Sequence, residues 1–417
     1  MQFLVESNPA FLVIKKEDNQ YIFYNSLQHR ASRLNYLEMV ILDMYYTYQD
    51  KDYILSKFSD DKRVILQRAL NAIDKHKLLL CEEIQDTESH LPEYPSMYYL
   101  HLTYNCNLKC TYCYNKNIRK GKNAVLNLRE WEAIIDKIAP YAKGVILTGG
   151  ECFLFPHLTE LLSYIKKNYP YINITAISNG MHDFENGEYS KVFEYITSIT
   201  LSCDSISREG ERKGFNPTLY KNNVVWLKTH FPNLNITIAS TITSSNSDDI
   251  QEITHFCDDL HCGLSKTILI PETADDLRLM PSIDGQIQST ESTNAMTPLS
   301  RLKPAAFRCE AGKSVCSIDP LGNMYPCQSL HYDEFLMGNI LHDDIKNLSY
   351  FGKEGFILKT VNDFAVCSKC NVKYLCGGGC PATAYKIYNG KIGPNHLTCK
   401  INYLNCIEKL KSLDNRL

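Results

Sequence analysis

No run of 18 or more uncharged apolar residues occurs anywhere in the 417-residue chain, so no segment reads as a membrane span. A secretory signal is also missing. Met1–Ile14 is moderately apolar, but Lys15 and Lys16 follow that stretch instead of preceding it, and no small-residue cleavage site comes after. Neither sign of charge is in excess: 44 Lys and Arg face 47 Asp and Glu, which leaves no global field to attract a polyanion. With 44% hydrophobic and 22% charged residues the chain is neither disordered nor collagen-like. Its 17 cysteines fall short of the density of a disulfide-stapled miniprotein, and an odd number cannot all pair. The expectation is a cytoplasmic chain with no membrane and no nucleic-acid partner. In a reducing compartment, clustered cysteines mean metal or redox chemistry before disulfides.

What is present is unevenly placed. One cysteine, Cys81, lies in the first 90 residues; three crowd together at Cys106, Cys110 and Cys113; nine follow residue 308. Two stretches read as linkers, 86–95 with its two prolines and the Ser/Thr/Asn/Pro-rich 281–304. Three domains are therefore expected, at 1–88, 96–280 and 300–417. In the first, Phe11–Ile14 and Tyr21–Tyr24 flank a polar turn as a hairpin, and helices follow from Leu34 to Met44 and from Val64 to Ile73. That order fits a small winged-helix-like module. Its first 90 residues hold 11 Lys and Arg against 14 Asp and Glu, which argues against duplex binding.

The middle section alternates β-rich runs with helical patterns. The runs are Tyr98–Leu102, Val145–Thr148, Ile172–Ile177, Ile199–Ser202, Ile236–Ser240 and Thr267–Ile270. The clearest helix is Leu128–Ala139, where Asn127 and Glu130 suit a capping box. Six strands with intervening helices predict an α/β fold with a parallel sheet, open or curled into part of a barrel, whose ligands sit at the C-terminal strand ends.

The first strand leads into Asn105-Cys106-Asn107-Leu108-Lys109-Cys110-Thr111-Tyr112-Cys113. Three cysteines so spaced, in a loop after a strand, can bring three thiolates together. A four-iron cluster takes one thiolate per iron, so three protein ligands leave one iron open for chemistry. The plainer reading is a zinc knuckle with a distant fourth ligand. That reading does not account for Tyr112 or for the motifs at the next strand ends: Gly149-Gly150-Glu151, Ser178-Asn179-Gly180 and Ser202-Cys203-Asp204.

Together these residues resemble the radical S-adenosylmethionine (SAM) superfamily, whose signature is CxxxCx(aromatic)C after the first strand. The resemblance implies a partial (β/α)6, TIM-like barrel with SAM chelating the open iron. It implies SAM contacts from Tyr112, Gly149, Gly150, Glu151, Ser178, Asn179, Ser202 and Asp204. Glu151 would pair with the methionyl ammonium and Asp204 would face the ribose. Arg212, with Arg208 as a rival, is the candidate for the SAM carboxylate, although the family's usual Arg-Gly pair is absent. Cys152 replaces the family's proline after Gly-Gly-Glu. Cys152, Cys203, Cys257 and Cys262 otherwise read as small buried residues.

The C-terminal section carries Cys309, Cys316 and Cys327, then Cys367-x2-Cys370-x5-Cys376-x3-Cys380, and later Cys399 and Cys406. Spacing alone leaves zinc and iron–sulfur sites open. The string resembles the SPASM extension of radical SAM enzymes. That resemblance implies two auxiliary four-iron clusters, one on Cys309, Cys316, Cys327 and Cys380, the other on Cys367, Cys370, Cys376 and Cys399. Cys406 is left as structural. Gly377-Gly378-Gly379 would fold tightly around a cluster, and with no Lys-Ser/Thr after it the run is not a phosphate loop. SPASM enzymes mostly act on peptides, and many carry a small winged-helix-like (PqqD-like) domain that binds the leader of a ribosomally made precursor. The implied activity is therefore reductive SAM cleavage followed by oxidative cross-linking, thioether or carbon–carbon, of such a peptide. A flavodoxin- or ferredoxin-type donor would supply electrons. A formylglycine-forming maturase and a zinc-binding regulatory protein are the alternatives.

Overall fold

The computed structural model describes residues 3–16, 19–82, 94–116, 125–185, 187–269, 271, 274–281, 309–348, 360–387 and 399–411. The two expected linkers, 86–95 and 281–304, lie almost wholly outside them.

The N-terminal module contains one strand more than the sequence suggests. β1 (Phe11–Lys15), β2 (Gln20–Asn25) and β3 (Arg30–Asn35) form an antiparallel sheet in that order. Leu34, read as the start of a helix, is the last buried residue of β3 and pairs with Tyr21. The next residue, Asn35, caps α1 (Tyr36–Tyr48) in a capping box with Glu38, which is why the chain turns helical there. α2 (Lys51–Ser56) and α3 (Arg63–Lys75) complete the module. α3 buries Leu66, Leu70 and Ile73, whereas the equally apolar Val64 and Ile65 at its start are 61% and 58% exposed.

This sheet is covered on both faces. Phe11, Tyr21, Phe23 and Leu34 pack on the helices. Ile14, Ile22, Tyr24 and Ala31, one residue out of phase, pack on Val372, Leu375, Cys406 and Leu410 of the C-terminal section. Strand alternation thus turns one three-stranded sheet into the layer between two units.

The middle section forms the expected parallel sheet. β4 (Met97–His101), β6 (Gly144–Thr148), β7 (Asn173–Ser178), β8 (Ser198–Ser202), β10 (Asn235–Ile242) and β11 (Gly263–Ile268) are neighbours in that order, every pair parallel. The two short strands between them, β5 (Lys109–Cys110) and β9 (Arg212–Lys213), pair only with each other. β11 begins four residues before the run read from the sequence. Tyr98, Leu100, Val145, Leu147, Ile174, Ala176, Ile199, Leu201, Ile236 and Ile238 alternate along the strands and meet helices at Leu128–Ile138, Leu158–Asn168, Pro217–His230 and Asp249–Asp259. Each fully buried Ile or Leu there contributes about 1.5–3 kcal/mol. The capping box of Asn127 and Glu130 forms as expected.

The sheet does not stop at β4. β12 (Val315–Ile318) runs parallel beside it, followed antiparallel by β13 (Asn323–Tyr325) and β14 (Gly338–Asn339), making nine strands in all. The C-terminal section therefore continues the same sheet. Among the described residues no helix is long and apolar enough to cross a membrane.

Candidate functional site

The loop carrying Cys106, Cys110 and Cys113 starts at the C-terminal end of β4 and is held from three sides. Pairing of β5 with β9 sets Cys110 opposite Arg212, and Thr111 extends the ladder to Glu211 through its N–H (3.0 Å) and hydroxyl (2.8 Å). Asn107 donates to the Met181 carbonyl at 3.0 Å and accepts from Asn179 at 2.7 Å. Lys116 donates to both Asp276 carboxylate oxygens at 2.9 Å, tying the segment after β11 to the loop. Burial pushes the Cys110 thiol up to about 11, against the nearby Arg212 guanidinium, with the Cys113 and Cys106 thiols also within reach.

Gly149 and Gly150 explain how the loop sits so close to the next strand. A Cβ on Gly150 would lie 2.1 Å from the Asn105 carbonyl oxygen, and one on Gly149 2.4 Å from that of Thr103. The glycines let β6 end flush against the backbone of the cysteine loop, sealed by Gly150 N–H to Thr103 O and Glu151 N–H to Asn105 O, both 2.8 Å. Glu151 is buried and accepts from the N–H groups of Asn179 (2.8 Å) and Phe153 (3.2 Å); burial raises its pKa despite those bonds. Ser178 accepts from Gly180 N–H at 3.1 Å, and Ser202 ends β8 half-buried.

Asp204 has protein partners on both oxygens. The Arg212 Nε lies 3.0 Å from Oδ2 and its Nη2 3.3 Å from Oδ1, Thr241 N–H donates to Oδ1 at 2.9 Å, and the Tyr112 hydroxyl donates to Oδ2. The two rival arginines separate clearly. Arg212 is buried beside Cys110 and Tyr112, while Arg208 is half-exposed and pairs with Asp249.

All 17 cysteines are free thiols. Of the eight expected C-terminal ligands, Cys309 and Cys327 pack around Ala311, Tyr325, Leu330 and Phe335, and Cys370 and Cys376 around Val372 and Leu375. Cys309 and Cys327 each feel Cys380, and Cys316 feels Cys327. Cys367 feels Cys376, Cys399 and Cys370, and Cys370 and Cys399 both feel Cys376. Cys316 is the outlier of its group: it lies on β12, fully buried in the core beside Tyr98. Burial is the first cause of every raised thiol here, carrying Cys327 to about 12 and Cys367 to about 11. Three consecutive glycines, Gly377 to Gly379, all adopt positive φ, the tight path expected of that run. Among the described residues no three His, Cys, Asp or Glu side chains gather around one point in the manner of a single bound ion. A four-iron centre asks for something different, one thiolate per iron corner. Cys152, Cys203, Cys257 and Cys406 are buried, and Cys262 is partly so.

The family model described as the Radical SAM superfamily matches residues 100–257, which span β4 to the helix before β11. Residues 100–257 are a radical SAM domain. The chain is 24% identical over 270 residues to the antilisterial bacteriocin subtilosin biosynthesis protein AlbA of Bacillus subtilis, covering 59% of this chain and 58% of AlbA. It is 25% identical over 312 residues to the mycofactocin maturase MftC of Mycobacterium tuberculosis, covering 68% and 78%. Among solved structures, SuiB of Streptococcus suis bound to precursor peptide SuiA superposes with a TM-score of 0.58 at 16% identity, over 94% of this chain and 98% of SuiB. Native anSMEcpe with bound AdoMet reaches 0.54 at 17% identity, over 76% and 95%.

Within the radical SAM domain one buried group escaped the sequence. Tyr99 and His101 alternate with the core-facing Tyr98 and Leu100, so they point to the sheet face away from the helices. His101 is fully buried and, among the described residues, neither ring nitrogen has a hydrogen-bond partner. Its ring lies 4.5 Å from that of His331, whose Nε2 is 2.8 Å from Ser317 Oγ, and 6.4 Å from that of Tyr114. A lone histidine in a strand carries no spacing signal, so the sequence alone does not single it out. Burial lowers its pKa to about 3, so it is neutral at pH 7. The unfolded chain then binds the extra proton between about pH 6.5 and 3, and His101 costs stability as pH falls through that window. Replacing His101 with Leu removes an orphaned polar group. It is expected to raise Tm at pH 7 by about 2–4 °C and to flatten the acid loss of stability. Thermal melts from pH 7 to 4 measure both, and a lower Tm at pH 7 would refute the expectation.

Proposed function

We propose that this chain is a radical SAM peptide maturase that oxidatively cross-links residues, through a thioether or a carbon–carbon bond, in a ribosomally made precursor. One observation carries the reading. The ring of His101, at the end of β4 where the cysteine loop begins, lies 4.5 Å from that of His331, four residues after Cys327, so the loop of the radical SAM domain and the first C-terminal cysteine group approach each other. An oxidative cross-link needs both a site that removes hydrogen and a nearby electron acceptor, and this arrangement supplies a place for each.

In this reading residues 96–280 are the core, 300–417 hold two auxiliary four-iron clusters, and 1–88 recognise the leader. The residues fit such groups: three thiols share one loop after β4, eight more follow in the C-terminal section, and none is spent on a disulfide. When bound, an open-iron cluster with SAM supplies the 5′-deoxyadenosyl radical that takes hydrogen from the substrate. Cys106, Cys110 and Cys113 hold that cluster. Gly149, Gly150, Glu151, Ser178, Ser202 and Asp204 surround SAM, and Tyr112 and Arg212 hold Asp204 in place. The C-terminal groups are those of Cys309, Cys316, Cys327 and Cys380, and of Cys367, Cys370, Cys376 and Cys399. A flavodoxin- or ferredoxin-type protein is the electron donor, and the setting is a reducing cytoplasm.

The peptide partner is supported by SuiB, which was solved with its precursor peptide. A leader strand can add to a sheet edge, where main-chain hydrogen bonds provide affinity. In the N-terminal sheet β2 is central, so among the described residues the edges open to such a strand are those of β1 and β3. The N-terminal module is also what favours cross-linking over formylglycine formation.

One experiment tests the whole reading. Anaerobic reconstitution is expected to give about twelve iron and twelve sulfide per chain, and co-expression with a short peptide from a neighbouring reading frame a loss of about two mass units per cross-link. An unmodified peptide under active, reducing conditions argues against cross-linking. Two or three zinc per chain in place of iron would sink the enzyme reading altogether.

A further inference from the structure

The turn Ser178–Gly180 at the end of β7 is where SAM contacts were expected, yet the structure commits the Asn179 side chain elsewhere. Its Oδ1 accepts from Met181 N–H at 2.8 Å. Its Nδ2 donates to Asn107 Oδ1 at 2.7 Å and lies in hydrogen-bonding range of Cys106 Sγ at 3.7 Å. Its backbone N–H donates to the buried Glu151 carboxylate at 2.8 Å. A carboxamide has two N–H donors, and both have partners on the cysteine loop. Asn179 is 7% exposed, and Asn107 returns the contact by donating to the Met181 carbonyl at 3.0 Å. The side chain has no donor left for a cofactor.

We propose that Asn179 is a positioning residue for Cys106, holding the first cysteine of the loop and donating an N–H···S hydrogen bond to its sulfur, and not a SAM contact. The proposal rests on reading Cys106, Cys110 and Cys113 as cluster ligands. Its effect follows from charge. A hydrogen bond to a ligand sulfur favours the more negative, reduced form of an iron–sulfur centre, so it makes the centre easier to reduce. The link runs from Glu151 at the end of β6, through Asn179 at the end of β7, to Cys106 after β4. Two motifs that look like separate cofactor contacts in the sequence thereby serve the cysteine loop. Glu151 and Asn179 are buried, so the hydrogen bond between them has lost water as an alternative, whereas the path is only partly buried where it reaches Cys106.

The test uses the full chain reconstituted with iron and sulfide, with SAM as the probe and no peptide. Asn179→Ala is compared with Asn179→Asp, which keeps the shape but removes both N–H donors. The readouts are iron content, the SAM dissociation constant, and the fraction of the SAM-responsive paramagnetic signal reduced at a fixed potential. In both variants the reduced fraction is expected to fall about tenfold, about 59 mV for a one-electron couple, more in the Asp variant, while SAM affinity stays within about twofold. Selective loss of the four irons carried by Cys106, Cys110 and Cys113 would equally place Asn179 at Cys106. A fall of SAM affinity by tenfold or more with an unchanged reduced fraction would overturn the proposal, as would no change in any readout. A wild-type chain with no SAM-responsive iron would overturn the reading of the three cysteines, and the inference with it.

Discussion

Cys106→Ala is expected to abolish reductive SAM cleavage, by a factor of a thousand or more, while about eight of about twelve irons remain on the chain. Cys106 anchors the start of the cysteine loop, taking the Leu108 N–H on its sulfur at 3.4 Å as well as the Asn179 contact. With two thiolates left, a second iron loses its ligand and the site that should bind SAM loses its geometry. The C-terminal groups sit on other elements, Cys367 to Cys376 on short helical turns and Cys399 at the start of the final helix, so nothing ties their loading to Cys106. Iron analysis together with 5′-deoxyadenosine formation reads both halves of the expectation. Retained cleavage would remove Cys106 from the catalytic cluster; loss of all iron would mean that the three sites assemble together.

Gly150→Ala is expected to be nearly as damaging, although it adds a single methyl group. That carbon would lie 2.1 Å from Asn105 O, 2.5 Å from Asn105 C and 2.6 Å from Tyr104 O, all backbone atoms that cannot rotate away. Relief requires β6 and the cysteine loop to part, which breaks the hydrogen bonds from Gly150 N–H and Glu151 N–H. Overpacking of this kind costs about 1–3 kcal/mol where the neighbours can adjust, and these cannot. We expect Tm to fall by about 5–10 °C and the chain to lose the iron of the radical SAM domain. Gly187→Ala is the control: nothing lies within 4 Å of its added carbon, and Tm should hold. Calorimetry and iron content of the two variants decide the matter, and equal behaviour would show that the close approach of β6 to the loop does not matter.

The parts of the fold legible in the sequence were those written in local pattern. Trp131, Ile134, Ile135 and Ile138 announce one helix face, and all four are buried. The six parallel strands were visible as β-rich runs because strands buried on one face by helices need apolar residues there. β3 was not visible, because Arg30, Ser32, Arg33 and Asn35 dilute its two apolar residues. Its place in the sheet comes from pairing with β2. On α3, Val64 and Ile65 match a helical apolar face as well as Leu66 does, and only the docking of the helix shows which side is turned inward.

The site divides in the same way. By itself the sequence determined which atoms are available: three thiols in one loop, eight more at ordered spacings, and Gly-Gly where two stretches of backbone must touch. Spacing within a loop is set by covalent geometry, so it can be read without a fold. Tertiary structure alone decided who meets whom. Pairing of β12 with β4 brings Cys316 beside Tyr98 at the edge of the radical SAM sheet. Pairing of β5 with β9 selects Arg212 over Arg208. The second face of the N-terminal sheet packs on the C-terminal section, at Cys370, Cys376 and Cys406. Each of these depends on register between segments far apart in the chain. Register is set by the sum of many weak burial and hydrogen-bond terms, and no short motif carries that sum.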